Sequence, residues 1–89
     1  MKQRYLEVTF RNGKALAAYL YLARNPGDAS ARTIRQPGGL LIDYTADGRA
    51  IGIEITAPVK LSLDALNRAL ASVNEAPATP DELGPLAAA

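Results

Sequence analysis

The segment Leu40 to Thr56, LLIDYTADGRAIGIEIT, constrains this chain more than any other stretch of it. Apolar and polar residues alternate on both sides of Asp47-Gly48, a pair suited to a tight turn, so the segment reads as a β-hairpin with one buried face. A two-residue loop sets Tyr44 opposite Ile51, Ile42 opposite Ile53 and Leu40 opposite Ile55, one continuous apolar surface. The same register turns Asp43, Gly52 and Glu54 together onto the other face.

Upstream, Arg4 to Phe10 alternates in the same way, with Leu6, Val8 and Phe10 on one side. Asn12-Gly13 then marks a second hairpin. A three-residue loop with Gly13 as a bulge joins that row to Leu16, Ala18, Leu20 and Leu22, whereas a two-residue loop joins it to Ala15, Ala17 and Tyr19. The first arrangement is expected, because it gathers the aliphatic side chains. Lys14 to Ala23 is apolar on its second face as well, where Ala15, Ala17, Tyr19 and Tyr21 lie, so this strand should be central and covered on both sides. Asn25-Pro26-Gly27-Asp28 turns the chain into a short strand, Ala31 to Gln36, and Pro37-Gly38-Gly39 turns it back. Beyond Pro58, Ser62 is placed to cap a helix running to Glu75, in which Leu63, Leu66, Leu70 and Val73 form one stripe.

These elements predict an α+β fold: about five antiparallel strands in meander order, with one amphipathic C-terminal helix packed on one face. Residues 1–76 are expected to form a single domain. Ala76 to Pro80 reads as a linker into a flexible or partly helical tail, 77–89, where Thr79-Pro80-Asp81-Glu82 has the pattern of a capping box.

With 89 residues the chain can bury only one modest core, so a second copy would help to stabilise it. The sequence contains neither cysteine nor histidine. A Ser-His-Asp or Cys-His system, an imidazole-bound metal and a disulfide are therefore unavailable within one chain, and a reducing cytoplasm is the expected setting. A formal net charge of +1 provides no field that would draw the protein onto nucleic acid or an anionic membrane. Arg24, Arg32 and Arg35, together with Arg49, could form a patch near Tyr19 and Tyr21 that stacks on and neutralises single-stranded nucleic acid, but they read more simply as solvated edge charges. No apolar run has the length of a signal peptide or membrane span, and no phosphate-loop or other cofactor motif is present.

Taken together, Leu-Tyr-Leu at residues 20–22, Ala-Arg-Thr-Ile at 31–34, Gly-Leu-Leu-Ile-Asp-Tyr at 39–44 and Gly-Ile-Glu-Ile at 52–55 resemble the YuzE-like family of small prokaryotic domains of unknown function. The likeness runs from about Tyr5 to Lys60. Its specific part is Asp43, Asp47-Gly48 and Gly52 to Ile55. Towards the front the chain departs from the pattern, with Asn12 and Ala17 or Ala18 where family members carry acids. The resemblance implies a fold and a prokaryotic cytoplasmic setting, and it brings no activity.

Asp43 and Glu54 are the candidate chemical residues. As diagonal neighbours across the hairpin their carboxylates would lie about 6–8 Å apart, a spacing suited to a divalent cation or an acid/base pair. Two acids on a polar sheet face are more simply read as solvated. The expected function is thus a non-catalytic interaction module that works as a homodimer or binds a protein partner in a regulatory role. The dimer interface would be Ala15, Ala17, Tyr19 and Tyr21. The alternative is a small enzyme or divalent-metal-dependent binder using Asp43 and Glu54.

Overall fold

The computed structural model describes residues 3–87; residues 88 and 89 of the expected tail lie outside the described residues. Five strands, β1 (Tyr5–Arg11), β2 (Lys14–Tyr21), β3 (Arg32–Gln36), β4 (Leu40–Tyr44) and β5 (Ala50–Ile55), form one antiparallel sheet. A 3-10 turn (Pro58–Lys60), the helix α1 (Leu63–Ser72) and a short helical turn α2 (Gly84–Ala87) follow. The α+β class, the five strands and the helix are those expected.

The strand order is not a meander. It runs β1-β2-β5-β4-β3, which places β5 in the centre and β3 at an edge. Burial explains the difference. Ile51, Gly52 and Ile53 are all buried in β5, so both of its faces need neighbours, whereas β3 is exposed from Arg32 to Arg35 and tolerates an edge. The connection between β2 and β3 must then cross the ends of β5 and β4. It is tied there by the Leu22 N–H to the Ile51 carbonyl (3.2 Å), by Arg49 to Asp28 (2.7 Å) and by the Ala31 N–H to the Tyr44 carbonyl (2.8 Å).

The two hairpins exchange the loops expected of them. Asn12 (φ 52°) and Gly13 (φ 77°) form a two-residue turn with Phe10 opposite Ala15, and the extra residue enters one step later, so that Thr9 pairs with Ala17 and Leu6 with Leu20. The aliphatic rows therefore meet as expected, but by a bulge within the strand. Leu16 is the unpaired residue and is 49% exposed, while Ala15 turns inward to 7% exposure. In the second hairpin the Thr45 N–H bonds to the Arg49 carbonyl (2.9 Å), leaving three residues in the loop. The Thr45 hydroxyl donates to Asp47 and so holds that turn. Leu40 faces Ile55 and Ile42 faces Ile53, but Tyr44 faces Ala50 in place of Ile51.

Leu6, Ala18, Leu20, Leu22, Leu40, Ile42, Ile53 and Ile55 form the closed face, and Leu66, Ala69 and Leu70 of α1 lie on it. Leu66 and Leu70 are fully buried, each contributing about 1.5–3 kcal/mol. Leu63 falls outside the stripe and is 49% exposed. Ser62 caps the helix by accepting the Ala65 N–H (3.2 Å). The helix stops short of Glu75: Asn74 adopts a φ of 62°, and the N–H groups of Glu75 and Asn74 return to the carbonyls of Leu70 and Ala71.

The segment after Glu75 is no free linker. Ala78, Leu83 and Leu86 pack on the core beside α1. Arg4, just before β1, grips the segment by donating to both Glu82 carboxylate oxygens (2.7 Å each) and to the carbonyls of Ala76 (2.6 Å) and Pro77 (3.1 Å). The expected capping box forms, with the Thr79 N–H on Glu82 (2.9 Å) and the Glu82 N–H on the Thr79 hydroxyl (3.2 Å). The boundary at residue 76 therefore marks no break in packing.

Candidate functional site: the open face of the sheet

Alternation along β2, β5, β4 and β3 carries a second set of side chains away from α1. Tyr19 pairs with Glu54 and Tyr21 with Gly52; Asp43 flanks Gly52 from the other side, and Thr33 lies beyond it. Gly52 is the pivot. A Cβ built there would stand 2.0 Å from the Tyr19 phenol oxygen and 2.2 Å from Cζ, so the ring lies directly across the glycine backbone.

That position delivers the Tyr19 hydroxyl to Asp43, where it donates to Oδ2 at 2.7 Å, while the Thr33 hydroxyl donates to Oδ1. Burial, seconded by the hydrogen bond to Asp43, pushes the Tyr19 phenol above its ordinary range. Tyr19 is thus a fixed hydrogen-bond donor at neutral pH. It is no base.

Tyr21 meets the Tyr19 ring edge-on, with centroids 4.7 Å apart at 68°, and stacks on Tyr5 at 4.6 Å and 13°. The Arg24 guanidinium lies 5.2 Å from the Tyr21 centroid and donates to the Ile51 carbonyl at 2.6 Å. The Tyr21 hydroxyl donates to Glu7 (3.3 Å). The result is a column of three Tyr rings rimmed by Glu7, Arg24, Asp43 and Glu54, with Tyr5 44% exposed at one side.

Asp43 and Glu54 occupy the diagonal relation expected of them. Both oxygens of Asp43 already accept hydroxyl groups, and Glu54 is exposed. Among the described residues no group of three or more acidic side chains is arranged to hold a metal ion. Of the four interface residues, Ala17, Tyr19 and Tyr21 share the open face. Ala15 does not, because the bulge at Leu16 reverses the alternation and turns Ala15 towards Pro58, Val59 and Leu86. The four arginines act separately: Arg24 on Tyr21, Arg32 over Tyr44 at 5.3 Å, Arg49 on Asp28 and Asp47, and Arg35 on the exposed β3 edge.

The sequence pattern alone leaves Tyr5 out of this site and brings Arg24 near Tyr19 and Tyr21 only as part of an arginine patch. Tyr5 had a signal, since the β1–β2 pairing that aligns Leu6 with Leu20 also sets Tyr5 opposite Tyr21. Arg24 sits past the end of β2, where no periodicity reports direction.

No family model, no curated protein and no solved structure matches this chain. Among the described residues no helix is long and apolar enough to cross a membrane.

Proposed function

We propose that this chain is a non-catalytic interaction module that binds a protein partner through the open face of its sheet, in a regulatory role and a cytoplasmic setting. One observation carries this reading. Tyr19 is ordered against Gly52, Tyr21 against Tyr19 and Tyr5 against Tyr21, yet among the described residues no element lies over them. Aromatic side chains held in place before binding give large contact area at little cost in side-chain entropy. The surrounding mixture of Glu7, Glu54, Arg24 and Arg35 suits the polar rim of a protein interface, and the net charge of +1 gives no bias towards nucleic acid. The resemblance to YuzE-like domains accords with a small prokaryotic module and assigns it no activity.

Quantitative affinity capture from the native host tests the reading. A partner retained by the wild type and by Leu63→Ser, but lost by the double variant Tyr5→Ser, Tyr21→Ser, is expected. Equal capture by all three proteins, or loss with Leu63→Ser alone, would place binding elsewhere.

A further inference from the structure

The two edges of the sheet are unlike. β3 is five residues long, carries Arg32 and Arg35, and is followed at once by Pro37, the usual features of an edge that resists pairing. β1 is seven residues long and reads YLEVTFR, rich in residues that favour strands and free of Pro and Gly. Among the described residues no other backbone bonds to its outer edge. Tyr5 and Phe10, at opposite ends and on opposite faces of β1, are each 44% exposed.

The geometry points to a homodimer in which two β1 strands pair antiparallel about a two-fold axis at Val8, joining the two sheets into one of ten strands. Side chains directly opposite in an antiparallel pair share a face, so a two-fold axis normal to the sheet must pass beside a residue that meets its own copy. Centring on Glu7 would oppose two like charges. Centring on Thr9 would leave Tyr5 and Leu6 beyond the partner strand. Only the Val8 centre aligns the whole of Tyr5–Arg11 with itself. It places Tyr5 opposite Arg11 of the second copy and Glu7 opposite Thr9, so the second copy's Arg11 and Glu7 lie on the two diagonals from Glu7 and no like charges stand directly opposite. Among the described residues Arg11 has no carboxylate partner, so this pairing supplies one. On the closed face, Phe10 comes to lie opposite Leu6, which extends each core across the axis. The open faces then run side by side and present the Tyr column twice.

Light scattering should report a mass near twice 9.4 kDa at tens of micromolar. Thr9→Glu sets two Glu–Glu pairs across the axis and should raise the dimer dissociation constant about tenfold or more, while Thr9→Lys, facing Glu7, should keep or tighten the dimer. Within one chain residue 9 is exposed and faces Ala17, so circular dichroism should show both variants folded. Because the native chain has no cysteine, oxidation of an equal mixture of Glu7→Cys and Thr9→Cys chains should link the two, and neither variant alone should link to itself. The edge and the open face fail separately: Tyr21→Ser should leave the mass of the dimer unchanged. A monomeric wild type, a dimer that ignores both charge variants, or self-linking of Thr9→Cys would overturn the assignment.

Discussion

On the closed face of the sheet, the aliphatic rows of β2, β4 and β5 interlock with Leu66 and Leu70; on the open face, Tyr19 lies across Gly52 and carries Tyr21 and Tyr5 beside it, with no element above them among the described residues. The contrast separates what holds the molecule together from what it presents. Removing an apolar side chain from the closed face leaves a cavity, whereas the open face keeps its order through ring contacts and through hydrogen bonds that range from part-buried to exposed.

The largest loss is expected from the tail, which packs on the closed face. Deleting residues 77–89 removes Leu83 and Leu86 and takes from Arg4 the Glu82 carboxylate and the Pro77 carbonyl. The expected loss is about 4 kcal/mol, a large share of the stability of so small a domain. Urea unfolding of the shortened chain checks this, and a midpoint close to the wild type would mean that the tail's contacts are idle.

Gly52→Ala breaks the open face at its pivot. The added methyl occupies the place of the Tyr19 ring, which must swing away and release Asp43, at a cost of about 2 kcal/mol. Removing the ring as well, in Gly52→Ala with Tyr19→Ala, should cost less than the sum of the two single changes. Thermal unfolding of the three variants measures that coupling.

The tail also makes stability depend on pH. The hydrogen bonds from Arg4 hold the Glu82 carboxyl below its usual value of 4.5. A carboxyl depressed in the folded state stabilises fully above its unfolded value, and the contribution disappears as pH falls through the folded one. Wild type should therefore lose about 1–2 kcal/mol below pH 4.5 that Glu82→Gln does not lose, as read from denaturation midpoints at pH 7 and pH 3.

The smallest effect belongs to the acids of the open face. Asp43→Asn together with Glu54→Gln should shift stability by less than about 1 kcal/mol, since Glu54 is exposed and an amide at residue 43 still accepts from Tyr19 or Thr33. Equilibrium denaturation of this double variant measures it.

How far the sequence disclosed these features follows from how local each one is. The pairs Leu40–Ile55 and Ile42–Ile53, the Ser62 cap and the Thr79–Glu82 capping box all depend on neighbours within one hairpin or one turn, and periodicity exposes them. The central place of β5 was hidden because it rests on a contact between β2 and β5, which are far apart in the chain. The reversal at Ala15 was hidden for another reason: a single inserted residue, Leu16, leaves no mark on composition. The packing of the tail depends on Arg4, some 78 positions from Glu82, and a Pro-rich segment alone reads as a linker. At the open face, Asp43, Gly52 and Glu54 were legible as a group, yet the reason for the glycine appears only once Tyr19 is laid across it.

Photo-crosslinking in the native host tests the division of labour between the faces most directly. A photoreactive phenylalanine analogue at residue 21 keeps the ring in the Tyr column, and the same analogue at residue 63 sits at the exposed start of α1. A discrete crosslinked partner is expected from position 21 and none from position 63. No product from position 21, or the same products from both positions, would contradict it.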